Sequence, residues 1–152
     1  RVFPDATVAI THRDPVSVIQ SAVTMLAYGQ RINRKRADLD GLIDYWADRV
    51  VHLLQACVSD RATLPVSQSI DLPFHDFMAD DMGTVEKIYA RANLEMTASA
   101  RKQLQAFIDE HPRGKDGHVI YNLRDDFGVE PAQLRERFSF YFECFPVRAE
   151  VV

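Results

Sequence analysis

The stretch ATVAITHRDPVSVIQSAV, residues 6–23, constrains the fold more than any other part of the chain. Residues 8–11 form a short apolar and β-branched run, which predicts a buried strand. Asp14 is a suitable N-cap and Pro15 a suitable first helical residue. Apolar residues then recur at three- and four-residue steps as far as Gly29, which can end a helix. The stretch therefore predicts a strand, a tight turn and a helix.

The remaining periodicities predict one more strand and several helices. They give a long helix at 39–58, a strand at 69–74, a loop at 75–83, a helix at 84–92, a Thr97-capped helix to 108, an irregular segment at 111–131 and a last helix at 131–145. Leu104, Phe107 and Ile108 are expected to face inward. Two short strands separated by helices predict a parallel sheet wrapped by helices, a three-layer α/β/α fold that is strongly helical in this portion.

Composition excludes several classes of protein. The 152 residues carry a formal net charge of -4, so overall charge does not favour nucleic acid or an anionic membrane. No apolar run approaches the roughly 18 residues of a membrane span. Cys57 and Cys144 form no CxxC pair and no metal spacing, which indicates packed intracellular thiols. No histidine pair has the spacing of zinc ligands, so no metal site is predicted.

The turn before the first helix carries the residues that suggest binding chemistry. The carboxyl edge of a parallel sheet is where α/β proteins bind ligands, and a helix that starts there points free N–H groups outward, which suits a phosphate. Arg13 adds a planar fork of donors, and Ser21 lies two turns beyond Asp14 on the same face. The pattern predicts a phosphate held by Arg13 and Ser21. The alternative is that Arg13 pairs with a surface acid and Ser21 simply packs.

Three histidines and a basic cluster are weaker candidates. His12 is expected to be packed or hydrogen-bonded rather than catalytic. The side chains of His75 and Asp76 are expected to diverge in a strand-end turn, where they would make structural hydrogen bonds. His118 either lines a cofactor pocket or is structural. The basic residues at 31–36 indicate a solvated helix entry with local ion pairs, or else a flap or docking site for an anionic substrate.

The segment FPDATVAITHRDPVSVIQSAV resembles the sulfotransferase family, whose members use 3′-phosphoadenosine 5′-phosphosulfate as sulfuryl donor. Family members carry a strand ending in Arg-(Asp/Asn)-Pro, followed by a helix with Ser eight residues after the Arg. Arg13 and Ser21 match that spacing, and the resemblance implies that both bind the 3′-phosphate of the cofactor. FPDA before the strand and HRDP after it look most like the bacterial branch, mycobacterial-type proteins included. The implied fold is a P-loop-like nucleotide-binding fold.

Two later segments extend the resemblance over nearly the whole chain. LPFHDFMADDMGTVEKIYARANLE is similar to the family's next strand, turn and helix, with His75 where Glu is common. HPRGKDGHVIYNLRDDFGVEP resembles the late segment in which an Arg-Lys-Gly reaches the 3′-phosphate. The corresponding positions are occupied here by Arg113, Gly114 and Lys115, in which the glycine precedes the lysine. The resemblance implies that these three residues also bind the cofactor.

The family's phosphosulfate loop and general base have no counterpart in this sequence, which begins with Arg1 rather than Met. We therefore expect residues 1–152 to be the C-terminal portion of a single sulfotransferase domain, without catalytic residues and inactive alone. The whole protein is expected to be a cytoplasmic sulfotransferase. Its expected partners are a small-molecule or lipid acceptor with a hydroxyl or amine and the N-terminal part of the same polypeptide, with a homodimer as one option. The alternatives are a non-catalytic interaction or scaffold protein with a nucleotide-binding fold and a small-molecule kinase.

Overall fold

The computed structural model describes residues 3–115, 117 and 119–151. The chain divides into two compact units, a sheet unit (residues 1–12 and 64–119) and a helical unit (residues 13–63 and 120–152). The elements in chain order are β1 (Val8–His12), α1 (Pro15–Asn33), α2 (Leu39–Arg61), a 3-10 turn (Val66–Gln68), β2 (Ser69–Pro73), α3 (Phe74–Ala79), α4 (Asp81–Arg91), α5 (Ala98–Glu110), α6 (Leu123–Phe127), α7 (Pro131–Glu136) and α8 (Ser139–Cys144).

The sheet unit is built on β1 and β2, which pair in parallel with Val8 opposite Ser69. Both predicted strands and the parallel sheet are therefore confirmed. The prediction that β1 is buried is wrong, since Val8, Ala9 and Thr11 are exposed. Among the described residues β2 is the sole strand paired with β1, and this leaves the other edge of β1 open.

In the sheet unit, α4 begins earlier than the sequence predicts and α3 forms where a loop is predicted. Residues 75–83, predicted as a loop, belong largely to α3 and to the start of α4. The carboxylate of Asp80 explains the early start of α4, because it accepts a hydrogen bond of 2.8 Å from the N–H of Gly83 and caps the helix. The predicted Thr97 cap of α5 is confirmed by a 3.1 Å hydrogen bond from the N–H of Ala100.

One predicted inward residue of α5 faces outward. Phe107 is 61% exposed, and its ring stacks on that of His111 at 4.2 Å between centroids. Leu104 and Ile108 are half-buried, and no residue of α5 is fully buried. α5 therefore contributes no fully buried side chain, and the ring of Phe107 packs against His111 instead of entering a core.

Three boundaries in the helical unit differ from prediction. α1 continues through Gly29 to Asn33, where the N–H of Arg34 donates to the carbonyl oxygen of Gln30 at 2.8 Å. The segment 111–131, predicted as irregular, contains α6. The predicted last helix is interrupted near Phe138, which has a φ of -113°, and so forms α7 and α8.

The helical unit contains a contiguous apolar core. Val16, Ile19 and Phe138 are completely buried, and Phe138 is among the largest side chains to be so. The buried members of the cluster are Val16, Ile19, Val23, Ala27, Ile43, Ala47, Leu123, Phe127, Leu134 and Phe138. Burial of these side chains from α1, α2, α6 and α7 fixes the N-terminal end of α1, beside which Arg13 lies. Within the described part of the chain, no helix is long and apolar enough to cross a membrane.

Candidate functional site

Arg13 connects β1 to α1 in the chain, and its guanidinium binds a carboxylate. The Nε–H donates to both oxygens of Glu150 at 3.0 Å, and Nη2 donates to one of them at 2.7 Å. Nη2 also donates to the hydroxyl of Ser17 at 3.1 Å. We call the guanidinium of Arg13 with the hydroxyl of Ser17 the Arg13 anion site. It binds an oxyanion through the side of the guanidinium that suits carboxylates and phosphates.

Asp14 holds the neighbouring backbone in place. It is completely buried, and one of its oxygens accepts a 2.9 Å hydrogen bond from the N–H of Val16. This confirms Asp14 as the N-cap, and it occupies the N–H of Val16, one of the donors at the start of α1. The carboxylate of Glu150 is bound beside this helix start by the side chains of Arg13 and Ser17.

The second oxygen of Asp14 places Glu150. It accepts the backbone N–H of Glu150 at 2.8 Å and that of Val151 at 3.4 Å. Arg135 approaches the same oxygen to 3.6 Å and donates to the carbonyl oxygen of Val151. The segment that carries Glu150 is therefore attached beside Arg13 by its backbone, independently of the Glu150 side chain.

Ser21 lies on α1 one turn beyond Ser17. Residues four apart share one face of a helix, so the two hydroxyls follow the same line from Arg13. The hydroxyl of Ser21 donates to the phenolic oxygen of Tyr121 at 3.3 Å, and Tyr121 is 37% exposed. The structure thus brings Arg13 and Ser21 to one face of the helical unit, each with a polar partner from the C-terminal part of the chain.

Arg113 belongs to the sheet unit, where it joins two helices. Its guanidinium forms an ion pair with Asp81, donates to the carbonyl oxygen of Met78 at 2.7 Å and lies 5.6 Å from the ring centroid of Phe77. These contacts attach the loop after α5 to the end of α3 and the start of α4. They give Arg113 a structural role, whatever it binds in addition.

Gly114 and Lys115 are less constrained than Arg113. Gly114 has a φ of +79°, which favours glycine, and Lys115 Nζ donates to the carbonyl oxygen of Glu110 at 2.9 Å. Both residues, together with His111, line a cavity of about 220 Å³. Lys115 is exposed, so its ammonium can leave that carbonyl at little cost.

Two of the histidines, one buried and one half-buried, lie beside a carboxylate. His12 is buried and its Nε2 lies 2.9 Å from a carboxylate oxygen of Asp71, which confirms the expectation of a hydrogen-bonded His. The expectation that His75 and Asp76 diverge is wrong, because both lie on α3 and their side chains meet at 3.3 Å. His118 lies outside the described residues. Among the described residues, no group of three His, Cys, Asp or Glu side chains is arranged to hold a metal ion.

The sequence does not identify Glu150, Ser17 or Tyr121 as site residues. Ser17 could be predicted from its position, because it lies midway between Arg13 and Ser21 on the same helix face. Glu150 and Tyr121 carry no local signal, because their contacts join residues 137 and 100 positions apart.

The comparisons with known proteins identify the family of the chain. A profile described as the Sulfotransferase family matches residues 1–98, which include Arg13 and Ser21. The chain belongs to the sulfotransferase family. The family prediction is therefore confirmed, and no curated protein matches the sequence significantly.

Two solved sulfotransferases share the fold. Sulfotransferase STF9 from Mycobacterium avium matches 99% of the chain with a TM-score of 0.84 and 22% identity. Sulfotransferase STF1 from Mycobacterium tuberculosis H37Rv matches 90% of it with a TM-score of 0.68 and 24% identity. The chain spans 39% of the first structure and 34% of the second. These matches confirm the predicted fold class, a helical α/β fold with a parallel sheet of the P-loop-like type, and both structures come from the mycobacterial branch that the motifs resemble.

Proposed function

We propose that the whole protein is a sulfotransferase that uses 3′-phosphoadenosine 5′-phosphosulfate, and that Arg13 and Ser21 bind the 3′-phosphate of this donor. The observation that carries the proposal is the match of the Sulfotransferase-family profile to residues 1–98, which include Arg13 and Ser21. In the structure Arg13 pairs with the carboxylate of Glu150, as the alternative of a surface acid predicts, and this contact supports the proposal because it places a guanidinium that holds an oxyanion beside α1. Membership of the sulfotransferase family supplies the class of reaction.

The chemistry of the site explains why a 3′-phosphate suits it. The guanidinium offers parallel N–H donors to two oxygens of one phosphate, and the hydroxyl of Ser21, two turns along α1 from Arg13, is proposed to donate to a third. The 3′-phosphate is remote from the reacting sulfur, so these contacts orient the donor and leave the chemical step to other groups. They also distinguish this donor from adenine nucleotides that lack the 3′-phosphate.

Gly114 and Lys115 are proposed as further phosphate contacts, and Arg113 keeps its predicted contact together with its structural role. The backbone at Gly114 allows close approach of a ligand, and the exposed ammonium of Lys115 is a mobile cation. Lys115→Ala should therefore weaken nucleotide binding and leave folding intact. Arg113→Ala should also destabilise the protein, because it removes the ion pair with Asp81.

The proposed reaction is an in-line attack of an acceptor hydroxyl or amine on sulfur, with the acceptor's proton passing to a base and the bridging oxygen leaving with the nucleotide. The base and the phosphosulfate-binding loop are proposed to belong to the N-terminal part of the same polypeptide, consistent with the 39% of the STF9 structure that this chain spans. A small-molecule or lipid acceptor and a cytoplasmic location complete the proposal.

The test is a nucleotide titration of the full-length protein. We expect 3′,5′-diphosphoadenosine to bind much more tightly than adenosine 5′-monophosphate, and Arg13→Ala to remove most of the difference. A charge-assisted hydrogen bond contributes roughly 1.5–3 kcal/mol, so the loss should be at least about tenfold. Arg49→Ala, which removes an exposed guanidinium paired with Asp48 on α2, is the matched control and should leave both affinities unchanged.

The outcomes separate the alternatives. Equal binding of the two nucleotides would favour a kinase. Binding of neither would favour the non-catalytic scaffold, which has one observation on its side, namely that Arg13 is already paired with Glu150.

A further inference from the structure

Glu150 lies where a ligand's phosphate would have to bind. Its carboxylate contacts Nε and Nη2 of Arg13 and lies 3.3 Å from the hydroxyl of Ser17. These are the donors that define the Arg13 anion site. A phosphate cannot take the same donors while the carboxylate stays in place, because two anions on one guanidinium face repel each other and compete for the same hydrogens.

The segment around Glu150 is attached through its backbone, whereas the carboxylate is held by Arg13 and Ser17, the donors that a ligand would take. The backbone N–H groups of Glu150 and Val151 bind the buried Asp14, and Arg135 binds the carbonyl oxygen of Val151. None of these contacts involves the Glu150 side chain, which is 29% exposed. Rotation about its side-chain bonds can therefore move the carboxylate into water without breaking the attachment.

We infer that Glu150 is an internal competitor for the Arg13 anion site, which a ligand phosphate must displace and which thereby determines which anions bind. The inference rests on the proposed function, since it takes the 3′-phosphate as the displacing group. Glu150 is therefore a specificity-determining residue: at the Arg13 anion site it disfavours a singly charged anion more than a phosphomonoester, and its backbone attachment keeps it next to the site, so that it can return when the ligand leaves.

The charge of the ligand decides the competition. A phosphomonoester carries a charge of about -1.5 to -2 near neutral pH and three acceptor oxygens, whereas Glu150 offers one charge and two oxygens. A phosphomonoester can therefore displace the carboxylate where a singly charged anion cannot. Both side chains are partly exposed, and such pairs contribute at most about 1 kcal/mol, so the competition should cost the ligand about two- to fivefold in affinity.

The experiment measures the affinity of the full-length protein for 3′,5′-diphosphoadenosine and for adenosine 5′-monophosphate. Glu150→Gln keeps the size and one hydrogen-bond acceptor of the side chain and removes its charge. We expect it to tighten binding of 3′,5′-diphosphoadenosine about two- to fivefold and to leave the monophosphate unchanged. Glu143→Gln, the same change at an exposed position of α8, is the control and should change neither affinity.

The double variant Arg13→Ala/Glu150→Gln shows whether Glu150 acts through Arg13. If it does, Glu150→Gln has no effect on binding once Arg13 is absent. An equal gain in the Arg13→Ala background would mean a general charge effect and would overturn the inference.

The remaining outcomes distinguish failure of the inference from failure of the proposed function. One such outcome is that Glu150→Gln binds 3′,5′-diphosphoadenosine no more tightly than the parent protein but still prefers it to the monophosphate, while Arg13→Ala loses that preference. This outcome would show that Glu150 positions Arg13, and it would overturn the competitor role alone. If the parent protein shows no preference for the nucleotide with the 3′-phosphate and Glu150→Gln does, the competitor role is supported in its strongest form. No preference in any variant would overturn both.

Discussion

Asp14 binds the N-terminus of α1 and the backbone of Glu150, which lies 136 positions beyond Asp14 in the chain. Its side chain is completely buried, and its two oxygens accept hydrogen bonds from these donors in place of water. Arg135, 3.6 Å away, supplies a compensating charge. A single carboxylate thus determines both where α1 begins and where the competitor of the Arg13 anion site is attached.

Removing the Asp14 carboxylate should lower the free energy of unfolding. Asp14→Ala leaves buried N–H donors unsatisfied and takes the partner from Arg135, and we expect a loss of about 3 kcal/mol in the free energy of unfolding. Asp14→Asn keeps one acceptor oxygen and should lose less. Denaturant titration measures both. Asp44→Ala, an exposed acid of α2, should stay within about 0.5 kcal/mol of the parent; a similar small change for Asp14→Ala would contradict the role given to its contacts.

The elements follow local sequence signals at their starts and tertiary contacts at their ends. Asp14, Asp38 and Thr97 cap α1, α2 and α5, because side-chain oxygens next to a helix start bind its first N–H groups wherever they occur. Helix ends follow local signals less consistently. Gly128 ends α6 in the left-handed conformation, whereas α1 continues beyond Gly29, and the helix break near the buried Phe138 falls where there is neither Gly nor Pro.

Gly29 offers a direct test of where α1 ends. Within a helix, alanine stabilises by roughly 0.5–1 kcal/mol relative to glycine, and a Cβ at Gly29 would meet no atom within 4 Å. We expect Gly29→Ala to raise the free energy of unfolding by about that amount. Gly128→Ala is the contrasting variant, because Gly128 has a φ of +67° and equally open space, so alanine there should destabilise by about 1 kcal/mol. Destabilisation by Gly29→Ala would place the helix end at Gly29 after all.

At the scale of the whole molecule, the sequence predicts both strands, the starts of α1, α2, α5 and α7, and the two α1-side residues of the candidate site. Arg13 and Ser21 could be predicted because their spacing is local. Glu150 and Tyr121 could not, since they reach the site only through the tertiary fold. The burial of side chains likewise depends partly on local sequence and partly on the tertiary fold. The two strands were recognisable from their composition, whereas the exposure of β1 depends on which chain segments cover it.

Burial is distributed unevenly between the units, and local stability should follow it. α1 carries buried residues along most of its length, among them Val16, Ile19 and Val23, whereas no residue of α5 is fully buried. Each fully buried aliphatic side chain contributes about 1.5–3 kcal/mol, and segments with few buried apolar contacts open more readily. Native-state hydrogen exchange should therefore show amides in the middle of α1 protected at least about tenfold more than those of α5. Ile19→Ala should lower the protection of α1. Equal protection of the two helices in the parent protein would contradict the assignment of the stable core to the helical unit.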